Sequence, residues 1–190
     1  MSAVFAIAIS SACTMASPAE EVVIAVEAGE AGETSAEPER LSFTSQSGWI
    51  ESEPASSMRA AEFVLPGSGG AVDASLVVYY FGSQRGGTVE ANVTRWTKQF
   101  DQPDGRPSEE VMQRVERMVL GFPTHEVYLS GTYVAETSPG SGEYLNHPEW
   151  RMMSAIIESD HGFYYVKLIG PEQTVRRWEL SFRTFLNAVR

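Results

Sequence analysis

The C-terminal segment PEQTVRRWELSFRTFLNAVR places the strongest constraint on the fold. Its large apolar residues recur at three- and four-residue intervals, which places them on one face of a helix over residues 171–190. Pro171 suits the first turn of such a helix, and Glu172 complements its dipole. An apolar face of this size must be buried, so we expect the helix to lie on a sheet. The stripe comprises Val175, Trp178, Phe182, Phe185, Leu186 and Val189.

Short β-prone segments separated by turns supply that sheet. ASLVVYYFG (74–82) is almost continuously apolar, which is typical of a central strand covered on both faces. WRMMSAIIES (150–159) and FYYVKLIG (163–170) flank the turn DHG and predict a hairpin. Further short strands are expected elsewhere in the domain. They comprise LSF (41–43), GWIESEP (48–54), MRAAEFVLP (58–66), and two strands within 111–136 on either side of a turn at GFPTHE.

A glycine-rich loop, GSQRGGT (82–88), precedes a second predicted helix over 88–100. Val89, Val93, Trp96 and Phe100 form its apolar stripe. The loop lacks both the lysine and the glycine spacing of a P-loop or a dinucleotide-binding loop, so we expect no nucleotide site. Instead, Gly86 and Gly87 are expected to adopt positive φ, and Thr88 to cap the helix. The chain is therefore predicted to be α+β, a mostly antiparallel sheet of six or seven strands flanked by helices.

The N-terminus predicts export. Residues 3–9, AVFAIAI, form a short apolar run followed by small residues and Cys13. A cysteine in this position resembles the lipidation site of a bacterial lipoprotein, although Ser10 replaces the usual leucine and no basic residue precedes the run. The alternative is an ordinary signal peptide cleaved after Ala16 or Ala19. Either way the run is too short to span a bilayer, so membrane attachment would depend on the lipid.

Composition divides the chain into a leader (1–16), a flexible tether (17–40) and one globular domain (41–190), with the leader and tether expected to be disordered. The net charge is −11, and residues 1–40 contribute seven glutamates against one arginine. An acidic chain without a basic, aromatic-rich patch is unlike a nucleic-acid-binding protein. We therefore expect no nucleic acid partner.

Candidate binding residues lie on the border of the first helix. Asn92, Arg95 and Gln99 flank its apolar stripe, where they would form either its solvent-exposed edge or a polar groove between helix and sheet. Arg95 could pair with Glu90 or Asp101. Most of the aromatic residues are expected in the core, and the others could line a pocket.

The three histidines, His125, His147 and His161, lack the close spacing of zinc ligands, so they are interpreted as solvated loop residues. His147 with Glu143 and Glu149, in the loop 137–149, forms the only local cluster of possible ligands. The one cysteine lies in the leader, and no Gly-x-Ser-x-Gly sequence occurs. No catalytic residue, metal or cofactor is therefore predicted.

Three segments together carry a family resemblance: GGTVEANVTRWTKQF, LSGTY and FYYVKLIGPEQTVRRWELSFRTFL. They resemble a group of uncharacterised exported bacterial proteins similar to the Mog1/PsbP-type α/β/α sandwich. The resemblance covers residues 48–190. The matching residues are Gly86, Gly87, Val89, Asn92, Arg95, Trp96, Gln99, Phe100, Gly131, Tyr133, Gly170 and Pro171.

The resemblance implies a protein that binds other proteins or serves as an accessory subunit, and it supplies no catalytic residues to carry over. The sequence thus favours a non-enzymatic envelope protein that binds a protein or small ligand. Its candidate binding surface comprises Asn92, Arg95, Gln99 and His147. Two alternatives stay open: a hydrolase that uses His147 or His125 with a nearby glutamate, and a structural subunit of an envelope assembly.

Overall fold

The computed structural model describes residues 40–83, 86–138 and 140–190. The predicted leader, Cys13 and almost all of the predicted tether lie outside the described residues. Packing begins at the end of that tether, because the Arg40 guanidinium lies 5.4 Å from the centre of the Tyr80 ring. Among the described helices, none has the length and apolar character needed to cross a membrane.

Within the described residues, eight antiparallel strands form one sheet, which confirms the predicted α+β class with one more strand than expected. Its order is β1-β2-β3-β8-β7-β6-β4, and β5 pairs with β6 beside β4. The strands are β1 (Ile50–Ser52), β2 (Arg59–Leu65), β3 (Ala74–Tyr80), β4 (Phe100–Asp101), β5 (Gln113–Val119), β6 (Phe122–Tyr133), β7 (His147–Ser159) and β8 (Gly162–Pro171).

The two predicted helices form, and both end before the last residue of their apolar stripes. Helix α1 spans Val89–Thr97, and helix α3 spans Glu172–Asn187. Phe100 leaves the helix to begin β4, while Pro171 ends β8 and caps α3. A one-turn helix, α2 (Ser108–Val111), lies between β4 and β5.

The two main helices cover opposite faces of the sheet because side chains alternate along each strand. On β8, Tyr164, Val166 and Leu168 belong to the apolar cluster that contains α3. Tyr165 on the same strand belongs to the cluster that contains Trp96 of α1. This alternation determines which residues of β8 can face α1.

Aromatic packing holds α3 to its face of the sheet. The Phe185 ring is 1% exposed, and its centre lies 5.0 Å from that of Trp49 and 5.5 Å from that of Phe63. Phe43 packs on the same ring at 5.7 Å. The large apolar stripe is therefore buried, as its spacing predicts.

Two local predictions are wrong. Residues 41–43 do not form a strand; instead, the backbone of Ser42 exchanges two hydrogen bonds with Arg190, at 2.7 and 3.2 Å, which ties the start of the domain to its end. The turn predicted at GFPTHE (121–126) is confined to Leu120 and Gly121, whose φ angles are 52° and 85°. The residues from Phe122 onward pair with β5, so cross-strand pairing overrides the local Gly-Phe-Pro turn signal.

Phe185→Ala is expected to lower the free energy of unfolding by about 3–5 kcal/mol, because it leaves a cavity under α3. Leu180→Ala on the same helix is the matched control: Leu180 is 77% exposed, so the change should stay within about 0.5 kcal/mol. Urea unfolding of both variants measures the difference. Equal losses would show that α3 does not pack as described.

Candidate functional site

A cavity of about 180 Å³ lies between α1 and the sheet. We call it the Lys167 pocket and define it by the seven residues that line it. Two of them, Lys167 and Arg95, are cationic, and four are aromatic. The lining residues are Tyr79, Phe81, Arg95, Trp96, Gln99, Tyr165 and Lys167.

Strand and helix periodicity bring these residues together. Tyr165 and Lys167 are two residues apart on β8, so both side chains point to the α1 face. Tyr79 pairs directly with Tyr165 across the β3–β8 ladder. Arg95 lies near the end of α1, and Gln99 follows one turn later beyond its C-cap. Pairing between strands that are distant in sequence therefore builds one wall, and the helix end builds the other.

Lys167 is the least expected group in this position. Its ammonium nitrogen donates to Oε1 of Gln99 at 2.5 Å and lies 5.5 Å from the centre of the Tyr133 ring. Burial, with a smaller effect from the positive charge of Arg95, lowers the pKa of Lys167 to about 8. In the described part of the chain, no carboxylate forms a salt bridge with it within 4.0 Å.

Arg95 is positioned by Asn92. The guanidinium donates a short hydrogen bond to Oδ1 of Asn92, whose own amide donates to the carbonyls of Gly86 and Thr88 at 2.8 and 2.9 Å. Asn92 is 1% exposed, so it is neither a solvent-facing border residue nor part of the pocket wall. It is a buried link between Arg95 and the turn at Gly86 and Gly87, which we call the glycine turn.

The predicted partners of Arg95 were wrong. Glu90 instead pairs with Arg114, with 2.8 Å between carboxylate oxygen and guanidinium nitrogen. Asp101 lies in β4, and within the described residues it forms no salt bridge to Arg95. The charge of Arg95 is therefore not neutralised by either acid that sequence proximity suggests.

The glycine turn adopts its expected conformation. Gly86 and Gly87 have φ angles of 99° and 82°, and Thr88 Oγ1 accepts from the amide of Ala91 at 3.2 Å, which confirms the predicted cap. A Cβ on Gly86 would lie 2.6 Å from the Tyr165 ring, and the Tyr165 hydroxyl donates to the carbonyl of Gly87 at 2.9 Å. This close approach places the turn against the aromatic wall of the pocket.

A second cavity, of about 530 Å³, opens beside this turn. The start of α1 contributes Gly87 and Thr88, and the β7–β8 turn contributes Asp160. A carboxylate at this position opposes the charge of a phosphate. The absence of a nucleotide site stays a prediction from the loop sequence.

Of the four predicted surface residues, Arg95 and Gln99 line the Lys167 pocket, whereas Asn92 and His147 do not. His147 is the first residue of β7 rather than part of the loop. Its ring stacks on Trp150 at 4.5 Å, and Trp150 stacks on Tyr133 at 5.4 Å. His147 therefore lies at the outer end of an aromatic stack whose inner ring lies beneath Lys167.

The tyrosines around the pocket are held in their neutral form. Burial, reinforced by the nearby Tyr79, raises the pKa of Tyr133 above its ordinary value. Burial likewise raises the pKa of Tyr165, partly opposed by the charge of Arg95. These hydroxyls therefore supply polar contacts without negative charge, and the pocket keeps its positive character.

The interpretation of His125 as a solvated loop residue is wrong. His125 lies in the middle of β6 and is half-buried, and its Nε2 is 2.6 Å from Glu158 on β7. Its Nδ1 is 3.3 Å from Glu116 on β5. His161 does lie in an exposed turn. Across the described ranges, no three His, Cys, Asp or Glu residues are grouped closely enough to hold a metal ion.

Sequence reasoning missed Lys167, although one signal for it was present. It is the only charged residue in the apolar run FYYVKLIG, which the hairpin prediction places in a strand. A lysine within a buried strand requires either an ion-pair partner or a functional reason. Its neighbours Gln99 and Tyr133 come from distant parts of the chain, so no local motif links the three.

Comparisons with known proteins do not assign a function. No protein-family description matches the chain, and no match is found among curated proteins. A structure comparison finds the crystal structure of PA94, a Pseudomonas aeruginosa protein of unknown function suggested to be a regulator. The two share 15% identity over 79% of this chain and 96% of that chain, with a TM-score of 0.45.

Lys167→Met is expected to stabilise the protein at neutral pH by about 2 kcal/mol, after about 1 kcal/mol is subtracted for the lost bond to Gln99. The unfolded lysine keeps its proton to its ordinary pKa of 10.5, whereas the folded one loses it near 8. The folded charged lysine therefore costs free energy below pH 8, and stability rises with pH above that value.

Urea unfolding of the wild type and the variant at pH 7, 8 and 9 measures this effect. The advantage of the variant should shrink by about 1 kcal/mol between pH 8 and pH 9. Lys98→Met replaces the only other lysine, which is exposed, and is the matched control. The description of Lys167 as a cation that costs stability would be contradicted by a Lys167→Met protein that is less stable than the wild type by the same free energy at all three pH values.

Proposed function

We propose that this protein is a non-enzymatic binding module of the cell envelope and that the Lys167 pocket is its ligand site. One observation carries the proposal: a partly buried lysine lies between a helix and a sheet with its pKa lowered to about 8, and no carboxylate among the described residues forms a salt bridge with it. Such a lysine costs stability, and residues that lower stability are concentrated at functional sites.

The surroundings of Lys167 also suit a site that is assembled before a ligand arrives. Gln99 holds the ammonium by a hydrogen bond, and Asn92 holds Arg95 by another. Asn92 is itself anchored to the backbone of the glycine turn. Fixed polar groups lower the entropy that must be lost on binding.

The proposal includes the fold family and location that the sequence suggests. A sheet with α1 on one face and α3 on the other is compatible with a Mog1/PsbP-like α/β/α sandwich, whose members bind proteins or act as accessory subunits. Export, with lipid attachment at Cys13, is supported by the apolar run and the small residues before the cysteine.

The hydrolase alternative has one observation in its favour, the contact between His125 and Glu158. A general base needs a ring nitrogen that can reach the proton of a nucleophile or a water. Here one nitrogen faces Glu158 and the other faces Glu116 and Arg114, at 3.3 and 3.5 Å. This arrangement suits a cross-strand ion-pair network, so we favour the binding function.

A structural subunit is the remaining alternative. Three exposed apolar side chains lie on β5 and the turn that follows: Val115, Met118 and Leu120. They are 43–60% exposed. Native mass spectrometry that finds only a monomer at micromolar concentration would count against this alternative, and a stable oligomer would favour it.

Ligand-observed NMR against four groups of small compounds tests the binding proposal. Acids, amines, sugars and nucleosides are each mixed with wild-type protein, Lys167→Met and Lys98→Met. We expect at least one group to bind the wild type and Lys98→Met and to lose binding to Lys167→Met, because Lys167 lines the pocket and Lys98 does not. The proposal would be contradicted if no compound from the four groups bound, or if a compound bound Lys167→Met as tightly as the wild type.

Intact-mass measurement of the protein from the membrane fraction of its own host tests the location. We expect a chain that begins at Cys13 and carries a diacylglyceryl group. Cys13→Ser should move the protein out of the membrane fraction. An unmodified chain that still contains residues 1–12 would contradict both export and lipidation, whereas cleavage after Ala16 or Ala19 would support export alone.

A further inference from the structure

We propose that the Lys167 pocket takes a small aromatic monocarboxylate, with its carboxylate between Lys167 and Arg95 and its ring among the aromatic side chains. The inference rests on the proposed binding function and adds the chemical class of the ligand. Two independent features of the pocket carry it: the imbalance of charge among its lining residues, and the match between its size and its apolar walls.

The charge imbalance favours an anion. Lys167 and Arg95 are the charged members of the seven lining residues, and none of the seven is acidic. The nearby hydroxyls of Tyr133 and Tyr165 stay neutral because burial raises their pKa values. A carboxylate in the pocket would pair with the ammonium of Lys167, which is partly buried, and with the exposed guanidinium of Arg95.

The hydrogen-bond donors match a carboxylate as well. The Lys167 ammonium has three donors, and the described structure uses one of them for Gln99. Arg95 uses an Nη2 donor for Asn92, and its planar fork suits a two-oxygen acceptor. A neutral alcohol would accept fewer bonds and leave the charge uncompensated.

The walls and the volume limit the rest of the ligand. Tyr79, Phe81, Trp96 and Tyr165 supply aromatic surface. An apolar cavity of roughly 150 Å³ holds a benzene molecule, so the pocket of about 180 Å³ has room for a single ring with a short acidic group. A nucleotide or a fatty acid chain would extend beyond this volume into solvent.

The protonation of Lys167 makes binding dependent on pH. The groups that face it are Arg95 on α1, Tyr79 on β3, Tyr133 on β6 and Tyr165 on its own strand. Since the pKa of Lys167 is about 8 in the free protein, an anion should bind fully below that pH. Above it, affinity should fall by up to tenfold for each unit of pH, because the ligand must first restore the proton.

Isothermal titration with benzoate and phenylacetate is the test. Benzyl alcohol, benzylamine and inorganic phosphate serve as neutral, cationic and non-aromatic probes. We expect the two carboxylates to bind the wild type and Lys98→Met at neutral pH. Binding to Lys167→Met and to Arg95→Gln should be at least tenfold weaker, and binding to the wild type should weaken progressively above pH 8.

The outcomes separate this inference from the proposed function. Binding of benzyl alcohol or benzylamine as tight as that of benzoate would overturn the anion class but leave a ligand site at Lys167. Tighter binding of phosphate than of benzoate would overturn the claim that the ligand is aromatic. If neither carboxylate binds, the inference fails. If no compound of any class binds in the NMR experiment either, the proposed function fails with it.

Discussion

The alternation of side chains along β8 is the constraint on which the rest of the structure depends. This strand lies between β3 and β7, with α3 packed on one face and α1 on the other. Val166 and Leu168 point to the α3 side and are fully buried. Lys167 lies between them and must point to the α1 side. Its ammonium therefore enters the space between helix and sheet, where it can reach only what α1 and its neighbouring strands provide.

The glycine turn and the helix it precedes provide the polar groups for that space. Gly86 allows the backbone to approach the Tyr165 ring more closely than any side chain would permit. Asn92 then ties the turn to Arg95, and Gln99 reaches Lys167 from just beyond the helix end. The glycine-rich loop that resembles a phosphate-binding loop in outline thus has a packing role, and the charged groups lie at the other end of α1.

Local sequence pattern predicts the parts of this fold that depend on local spacing. Three such parts depend on residues that are close together in the sequence: the apolar stripe of α3, the hairpin of β7 and β8, and the cap at Thr88. Residues 41–43 and the strand β4 depend on partners elsewhere, Arg190 for the first and Tyr133 for the second. Such long-range pairing has no signature in the segment itself.

The candidate site was predictable only in part for the same reason. Arg95 and Gln99 were found because they border the apolar stripe of a recognisable helix. Lys167 is 68 residues from Gln99, so only the sheet brings the two together. Asn92 shares the helical spacing of Arg95, but its burial depends on the carbonyls of Gly86 and Thr88, which sequence spacing does not reveal.

The central claim is that Lys167 is a partly buried cation with no carboxylate partner among the residues that the structure describes. NMR of protein that carries ¹³C-dimethylated lysines tests it most directly, because the chain has two lysines, Lys98 and Lys167, and Lys167→Met assigns the signals. We predict that Lys167 titrates near its pKa of about 8 and that a bound aromatic carboxylate moves this titration to higher pH. A Lys167 that titrates above 10.5 in the free protein would reveal a carboxylate partner and contradict the account.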